Sequence, residues 1–419
     1  MKIESRRSRE IESKVLSVGL DIAKEAHWVA TRCHGFADGR ALRIAVNDVG
    51  FERLIGYLES EKERTGATAV IVGLESTGHY GVTVSEYLRS HGYEVRYVNP
   101  FHTSRMKEII DNSPEKSDPK DAAVIAELVH QGKYLSQVAN TGVFAELREA
   151  SRLRRSLTVE LGRRENRIHR TLDMVFPELL AILPPMGSST TFGLLRKALT
   201  PADFQALGVM KLTRLLKKVS RGQLGRELAE AILATASRSV GASLAIGMHR
   251  LSLSQELASW EHASRQRLVV EERQKALLKE VPYAENLASI SGIGPTTVAT
   301  VLGETGDLRA YTSAKAVLKV AGINLYRSSS GKKLGPTRIS KRGRSRLRHG
   351  LFLATLSMVS REGATMYAYF QRLVRENGML KMKAMVAAMR KLVGILFALV
   401  RDGAMFDPKR VSVDLEKVA

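Results

Sequence analysis

The chain has 419 residues, which at roughly 150 residues per domain gives room for two to three domains. Lys and Arg number 65 against 43 Asp and Glu, a net charge of +22 on a chain that is 44% hydrophobic; this points to a polyanionic partner, nucleic acid before an anionic lipid surface. A lone cysteine, Cys33, excludes a disulfide framework and a Cys-rich zinc site, and 6% aromatics argue against binding single strands by base stacking. The charged start MKIESRRSRE has no signal-peptide run, and no apolar stretch approaches the ~20 residues of a membrane span. The expected setting is a reducing cytoplasm, with no membrane partner.

In chain order, Val15 to Ile22 reads as a buried strand with an acid, Asp21, near its end. His27–Thr31 and Arg43–Val46 read as the next two strands, and Asn47–Glu59 as a helix with Phe51, Leu54, Ile55 and Leu58 on one face. Thr68–Leu74 is another apolar strand, again followed by an acid, Glu75; Val82–Ser90 is a helix, Tyr93–Asn99 a strand, and Asp118–Gln131 a helix stopping at Gly132. The order β-β-β-α-β-α-β-α predicts a mixed α/β layer over residues 1–140.

From about Thr141 the pattern turns helical. Leu153, Leu157, Leu161, Ile168, Leu172 and Val175 recur at steps of three, four and seven, predicting one long amphipathic helix, an arm of a coiled coil. Its polar face is basic, with eight Arg against three Glu in 147–170; Arg152, Arg155, Arg163 and Arg167 are candidate nucleic-acid contacts. Residues 188–250 read as short helices within an insertion spanning about 176–250, Leu251–Lys279 as the antiparallel partner helix, and Tyr367–Val400 as helical. The expected domains are 1–140, 141–280 and 281–419.

Three constellations carry chemistry. Asp21 and Glu75 close two strands, and Asp118 and Asp121 lie three residues apart on one helix face. Strand ends are where α/β sheets place ligands, and four converging carboxylates repel one another unless divalent cations neutralise them. Two Mg2+ ions, with Mn2+ as a substitute, would polarise a phosphodiester there. A bland reading competes: Asp118-Pro119-Lys120-Asp121 is also an ordinary capped helix start, and a lone acid after a strand is weak evidence. The second constellation is Ile290 to Ala299, where Gly292 and Gly294 frame a turn that opens a helix. It looks like a helix-hairpin-helix, whose amides and helix N-terminus hold phosphate without reading bases, though a plain αα-turn reads the same way. The third is Tyr326 to Lys333 followed by Ile339 to Arg348: residues 321–350 hold nine Lys or Arg and no acid. Lys332, Lys333, Lys341, Arg342, Arg344, Arg346 and Arg348 suit a phosphate, either as a solvated basic loop or around a serine nucleophile. No His adjoins the serines, so an activator has to come from elsewhere.

Together these motifs resemble the DEDD-plus-serine transposases of bacterial insertion sequences, which are relatives of the pilin-gene invertases and are described as bridge-RNA-guided recombinases. The matching segments are VGLDIAKEAHWVA, IVGLESTGHYG and KSDPKDAAVIAEL, then Ile290–Gly294, Ser330-Gly331-Lys332-Lys333, Ile339–Gly343 and Leu347-Arg348. The resemblance implies a RuvC/RNase H-like N-terminal domain in which Asp21, Glu75, Asp118 and Asp121 are catalytic metal ligands. It also implies a long helical coiled-coil region and a mostly helical C-terminal transposase domain. It makes Ser330 the nucleophile, with Ser329 a real alternative and Ser328 a lesser one. It further implies double-stranded DNA of element ends and target, a structured noncoding RNA, homodimers pairing into tetramers, and a bacterial cytoplasm, at the nucleoid during activity. The competing readings are a junction-resolving nuclease that uses water, and a non-catalytic DNA-binding scaffold. The first leaves the serine segment unexplained, and the second leaves both that segment and the four acids unexplained.

Overall fold

The structure, a computed structural model, describes residues 14–75, 79–111, 118–134, 141–330 and 333–408. The chain divides into two compact units, Met1–Gln137 and Val138–Ala419.

In the first unit the order is β1 (Val15–Asp21), β2 (Ala26–Arg32), β3 (Leu42–Ala45), α1 (Asp48–Thr65), β4 (Ala69–Glu75), α2 (Gly81–Ser90), β5 (Glu94–Val98), α3 (Pro100–Asp111) and α4 (Asp118–His130). The sheet runs β3-β2-β1-β4-β5. The front three strands form an antiparallel meander, while β1, β4 and β5 are parallel. Both faces are covered, as parallel strands require. On one face Leu16, Val18, Leu20, Val70, Val72 and Leu74 pack under Phe51, Leu54 and Leu58 of α1 and Val84 and Leu88 of α2. On the other, Ile71 and Val98 meet Met106 of α3 and Val124, Ile125, Leu128 and Val129 of α4. The mixed α/β layer is therefore as expected, with one addition. Helix α3, which opens on Asn99–Pro100, has too short an apolar stripe to stand out from a loop.

The closeness of α4 to the sheet has a specific cause. Gly19 of β1 and Gly73 of β4 are register partners. A Cβ on Gly19 would lie 2.0 Å from the Ala122 carbonyl oxygen and 2.3 Å from the Ala126 nitrogen, and one on Gly73 would lie 2.3 Å from Val129 Cγ2. Two adjacent glycines thus form a flat seat on which α4 lies directly against the backbone.

In the second unit, α5 (Val143–Val175) and α10 (Ile246–Leu278) are 33 residues each. They run antiparallel: Ser151 meets Gln274, Arg154 meets Glu271, and Arg164 meets Glu256. Of the six apolar positions expected to seam α5, Leu157, Leu161, Ile168, Leu172 and Val175 are buried, but Leu153 is 52% exposed and Leu147 takes a buried place instead. Between the long helices, α6 (Leu179–Ile182), α7 (Ser189–Leu195), α8 (Pro201–Val219) and α9 (Arg226–Ala236) enclose a core around Phe176, Phe192, Phe204, Leu216 and Ile232.

The remainder comprises α11 (Ala284–Ala288), α12 (Pro295–Thr305), α13 (Ala314–Ala321), the hairpin β6 (Leu325–Ser330) and β7 (Lys333–Ile339), then α14 (Ser345–Val359), α15 (Tyr367–Arg375) and α16 (Lys381–Asp402). These helices share one core with Leu147 of α5. The region read as helical over 367–400 is broken between α15 and α16, where Gly378 has φ +60°, a conformation that ends helices. Among the described residues no helix is long and apolar enough to cross a membrane.

Candidate active site and nucleic-acid groove

Asp21 ends β1 and Glu75 ends β4, neighbouring parallel strands whose preceding residues, Leu20 and Leu74, are register partners. Both acids therefore leave the same edge of the sheet. Strand side chains alternate between faces, so Asp21 lies on the face of Gly19, and Glu75 on the face of Gly73. That is the face α4 covers, and α4 carries Asp118 and Asp121 in its first turn. The glycine seat is what brings the helix's acids up to the strands' acids.

The electrostatics agree. Burial, then the charges of Asp121, Asp118 and Glu75, push the Asp21 carboxyl up from 3.8 to about 6. A carboxylate raised by three others is a group lacking its counter-charge. The opposing influence is Lys107 of α3, whose Nζ stands 2.5 Å from Asp121 Oδ1. That oxygen is buried and has no partner of hydrogen-bonding geometry, so the ammonium approaches it as a charge, off the lone-pair directions. Among the described residues no three acid, His or Cys side chains are drawn into one ion's shell; carboxylates without a counter-ion keep apart. All four are hard oxygen donors of the kind Mg2+ and Mn2+ take, and one has a buried oxygen that accepts no hydrogen bond. The residues fit a divalent metal ion.

The second unit holds a groove of about 420 Å3 lined by Arg152, Arg155, Ser156, Val159, Glu160, Arg163, Arg164, Arg167 and Arg346. The four α5 arginines selected from sequence and Arg346 from the start of α14 thus line one concavity. Arg152 pairs with Glu149, and Arg164 and Arg167 with Glu256. Arg155 and Arg163 have no acidic partner among the described residues and are exposed. Further along α5, burial and then the charges of Arg344 and Arg152 push the Arg148 guanidinium down to about 10. Arg148 and His349 were not selected from sequence; His349 is lowered by burial and by Arg155. Spacing on one helix could have found Arg148, but His349 is brought near Arg155 only by packing.

The basic segment after the hairpin divides by role. Lys341 and Arg342 are exposed, and Lys341 has φ +53°, a left-handed conformation uncommon for a side chain. Arg344 donates to the Glu304 carbonyl and Arg348 Nη1 to the Ala321 carbonyl at 3.0 Å, so part of their donor capacity is structural. Gly343 allows this: a Cβ there would lie 2.4 Å from the Gly322 nitrogen.

Gly292 has φ +94° and its carbonyl accepts from Ser357 Oγ at 2.8 Å. Gly294 caps α12 ahead of Pro295, and a Cβ on Gly294 would meet nothing within 4 Å. Ser330 ends β6 and is the register partner of Lys333. Gly331 and Lys332, and the side chains of Ser328, Ser329, Ser330 and Lys333, lie outside the described residues.

Residues 18–177 match a DEDD-type IS110 transposase family model, and residues 284–371 match the transposase model of the IS116/IS110/IS902 family. The chain is 25% identical to the 43.6 kDa protein of insertion element IS110 from Streptomyces coelicolor, over 94% of this chain and 95% of that protein. It is 26% identical to the 44.8 kDa protein of insertion element IS116 from Streptomyces clavuligerus, over 93% and 96%. It is 31% identical to the pilin gene-inverting protein of Moraxella bovis, over 30% of this chain and 39% of that protein. With acids gathered at one sheet edge in the first matched segment and the basic hairpin in the second, the chain belongs to the IS110/IS116 family of insertion-sequence transposases and is a DNA-recombining enzyme.

Proposed function

We propose that the protein cuts and rejoins DNA strands through a divalent-metal site of Asp21, Glu75, Asp118 and Asp121 acting with a serine, Ser330 in first place, under the guidance of a structured RNA. The observation that carries the reading is that Asp21 and Glu75 end neighbouring parallel strands on the face that α4 covers with Asp118 and Asp121 in its first turn, where burial and then the other three acids push Asp21 up to about 6. The four carboxylates would hold Mg2+, or Mn2+ in its place, and the bound ion supplies Lewis-acid stabilisation of phosphate charge. In this reading the first unit is a RuvC/RNase H-like domain.

The chain's own residues do the rest. The Ser330 oxygen forms a bond to the phosphorus of the cut strand, while the bond to one sugar oxygen breaks and that oxygen leaves with a proton. A sugar hydroxyl of the second strand then attacks the same phosphorus, and the serine is released with its proton restored. Lys333, Lys341, Arg342 and Arg346 balance the phosphate charge that grows in each step. The turn at Gly292–Gly294 acts as a helix-hairpin-helix that holds a backbone phosphate. The arginine groove on α5 holds duplex or folded RNA through phosphates, so base pairing rather than side chains selects the target. The protein works as a homodimer that assembles into a tetramer, with the antiparallel pair of long helices within each chain as its coiled-coil arm.

The test is strand joining by Ser330→Ala and Ser329→Ala proteins, scored beside DNA binding. Ser330→Ala is expected to abolish the covalent protein–DNA adduct and joining while binding stays within about twofold, since a hydroxyl carries none of the phosphate-neutralising charge. Joining that survives both changes rejects the serine step. Sequencing of RNA that co-purifies with the protein tests guidance: recovery of one defined, folded species supports it, and random cellular RNA rejects it.

A further inference from the structure

Lys107 is unused by the chemistry above, yet it faces the acid cluster. It is not a casual surface lysine. On α3, Thr103 and Met106 are buried, and Met106 packs among Val124, Ile125 and Leu128 of α4. Residues 103, 106 and 107 share one helix face by their spacing, so the packing that docks α3 on α4 also aims Lys107 at the cluster. Its side chain is 19% exposed and that of Asp121 is 16% exposed. Two charges so far withdrawn from water are held in place by answering each other's lost hydration.

The contact is also placed where a metal ion would bind. Lys107 Nζ stands 2.5 Å from Asp121 Oδ1, close enough that an ion held by that oxygen at the about 2.0–2.1 Å of an Mg2+ ligand would claim the same space. That same oxygen lacks any hydrogen bond. A cation approaching it meets the ammonium first. Four carboxylates and one ammonium carry three net negative charges. One divalent ion reduces them to one, and a second reverses the sign while Lys107 stays in place.

We propose that Lys107 is an internal competitor of the divalent ion: it occupies Asp121 in the metal-free protein, keeps the acid cluster folded, and is displaced from Asp121 when the metal binds. The proposal rests on the metal reading of the cluster. It assigns Lys107 a positioning role, setting how tightly the carboxylates hold their ion, rather than contact with the reacting atoms.

The experiment uses the full chain, stripped of metal and titrated with Mn2+ at fixed ionic strength, with free Mn2+ counted by electron paramagnetic resonance. Lys107→Met and Lys107→Gln are expected to bind Mn2+ about tenfold or more tightly than the parent, because a unit charge at contact distance no longer opposes the ion. The same proteins are expected to unfold at a lower temperature than the parent in EDTA, and to regain the difference in Mn2+. Unchanged or weaker Mn2+ binding by both variants, with normal binding by the parent, overturns the competitor role and leaves the metal reading standing. If neither the parent nor the variants bind Mn2+, the metal reading itself is wrong and the proposal falls with it. If both variants fail to fold even with Mn2+ present, the proposal is overturned too, since a displaceable ammonium is dispensable once the ion is bound. Asp121→Asn serves as the reference and should weaken Mn2+ binding.

Discussion

At the scale of single residues, the acids are readable from sequence as types and their mutual influence is not. Asp21 has an ordinary value of 3.8 and rises to about 6 in the fold. A carboxyl raised by folding stabilises the fold fully below its unfolded pKa, and that contribution is lost as pH climbs through the folded value. In EDTA, Asp21→Asn should therefore be more stable than the parent at pH 7, by on the order of 1 kcal/mol once water screening of a half-exposed group is allowed for. The difference should vanish near pH 4. Urea unfolding at the two pH values measures it, and an asparagine protein less stable than the parent at pH 7 would count against the crowding of charge. In metal, the same substitution should instead abolish strand joining, since a ligand is lost. Lys107 escaped sequence reading because a lysine on a loop-like stretch has no periodicity to mark it; only the docking of α3 turns it toward Asp121.

At the scale of elements, the first unit's strands were legible because short apolar runs ending in acids leave little else to be. The seat for α4 was less so. Gly19 and Gly73 lie 54 residues apart and become neighbours only through the parallel register of β1 and β4. Gly19→Ala places a methyl 2.0 Å from the Ala122 carbonyl oxygen, so α4 has to lift. A loss of about 1–3 kcal/mol is expected, with weakened Mn2+ binding because Asp118 and Asp121 move with the helix. Gly56→Ala in α1, where a Cβ meets nothing within 4 Å, is the control and should gain about 0.5–1 kcal/mol. Equal urea midpoints for the two proteins would refute the seat. The long helix α5 was legible from its period, but its seam was not read perfectly. Leu153 faces solvent and Leu147 the core, because the start of α5 packs on α12 as well as on α10, which turns its buried side toward Leu147 and Ser151. Gly303 allows that contact: a Cβ there would lie 2.7 Å from the Arg148 nitrogen.

At the scale of the whole molecule, the excess of positive charge resolves into two places: the groove on α5 and the segment that follows the hairpin. Binding of duplex DNA should weaken steeply with salt, by about 0.9 in logarithmic slope per phosphate neutralised. Replacing Arg155 and Arg163, exposed and without acidic partners among the described residues, by Ala should lower that slope by about 2. An Arg164→Ala protein should lower it less, because Arg164 already pairs with Glu160 and Glu256. Identical slopes for the double variant and the parent would remove the groove from the nucleic-acid interface.

By itself, the sequence determined the mixed α/β layer, the long basic helix, the charge excess, and the identity of the acids and serines. These follow from local periodicity and from residue chemistry, which need no partner in space. Only the tertiary structure decided that two glycines seat α4 against β1 and β4, that Lys107 faces Asp121, and that Arg346 joins the α5 arginines in one groove. Each of these joins residues distant in the chain, and proximity of that kind is set by strand register and helix docking, which no local pattern encodes.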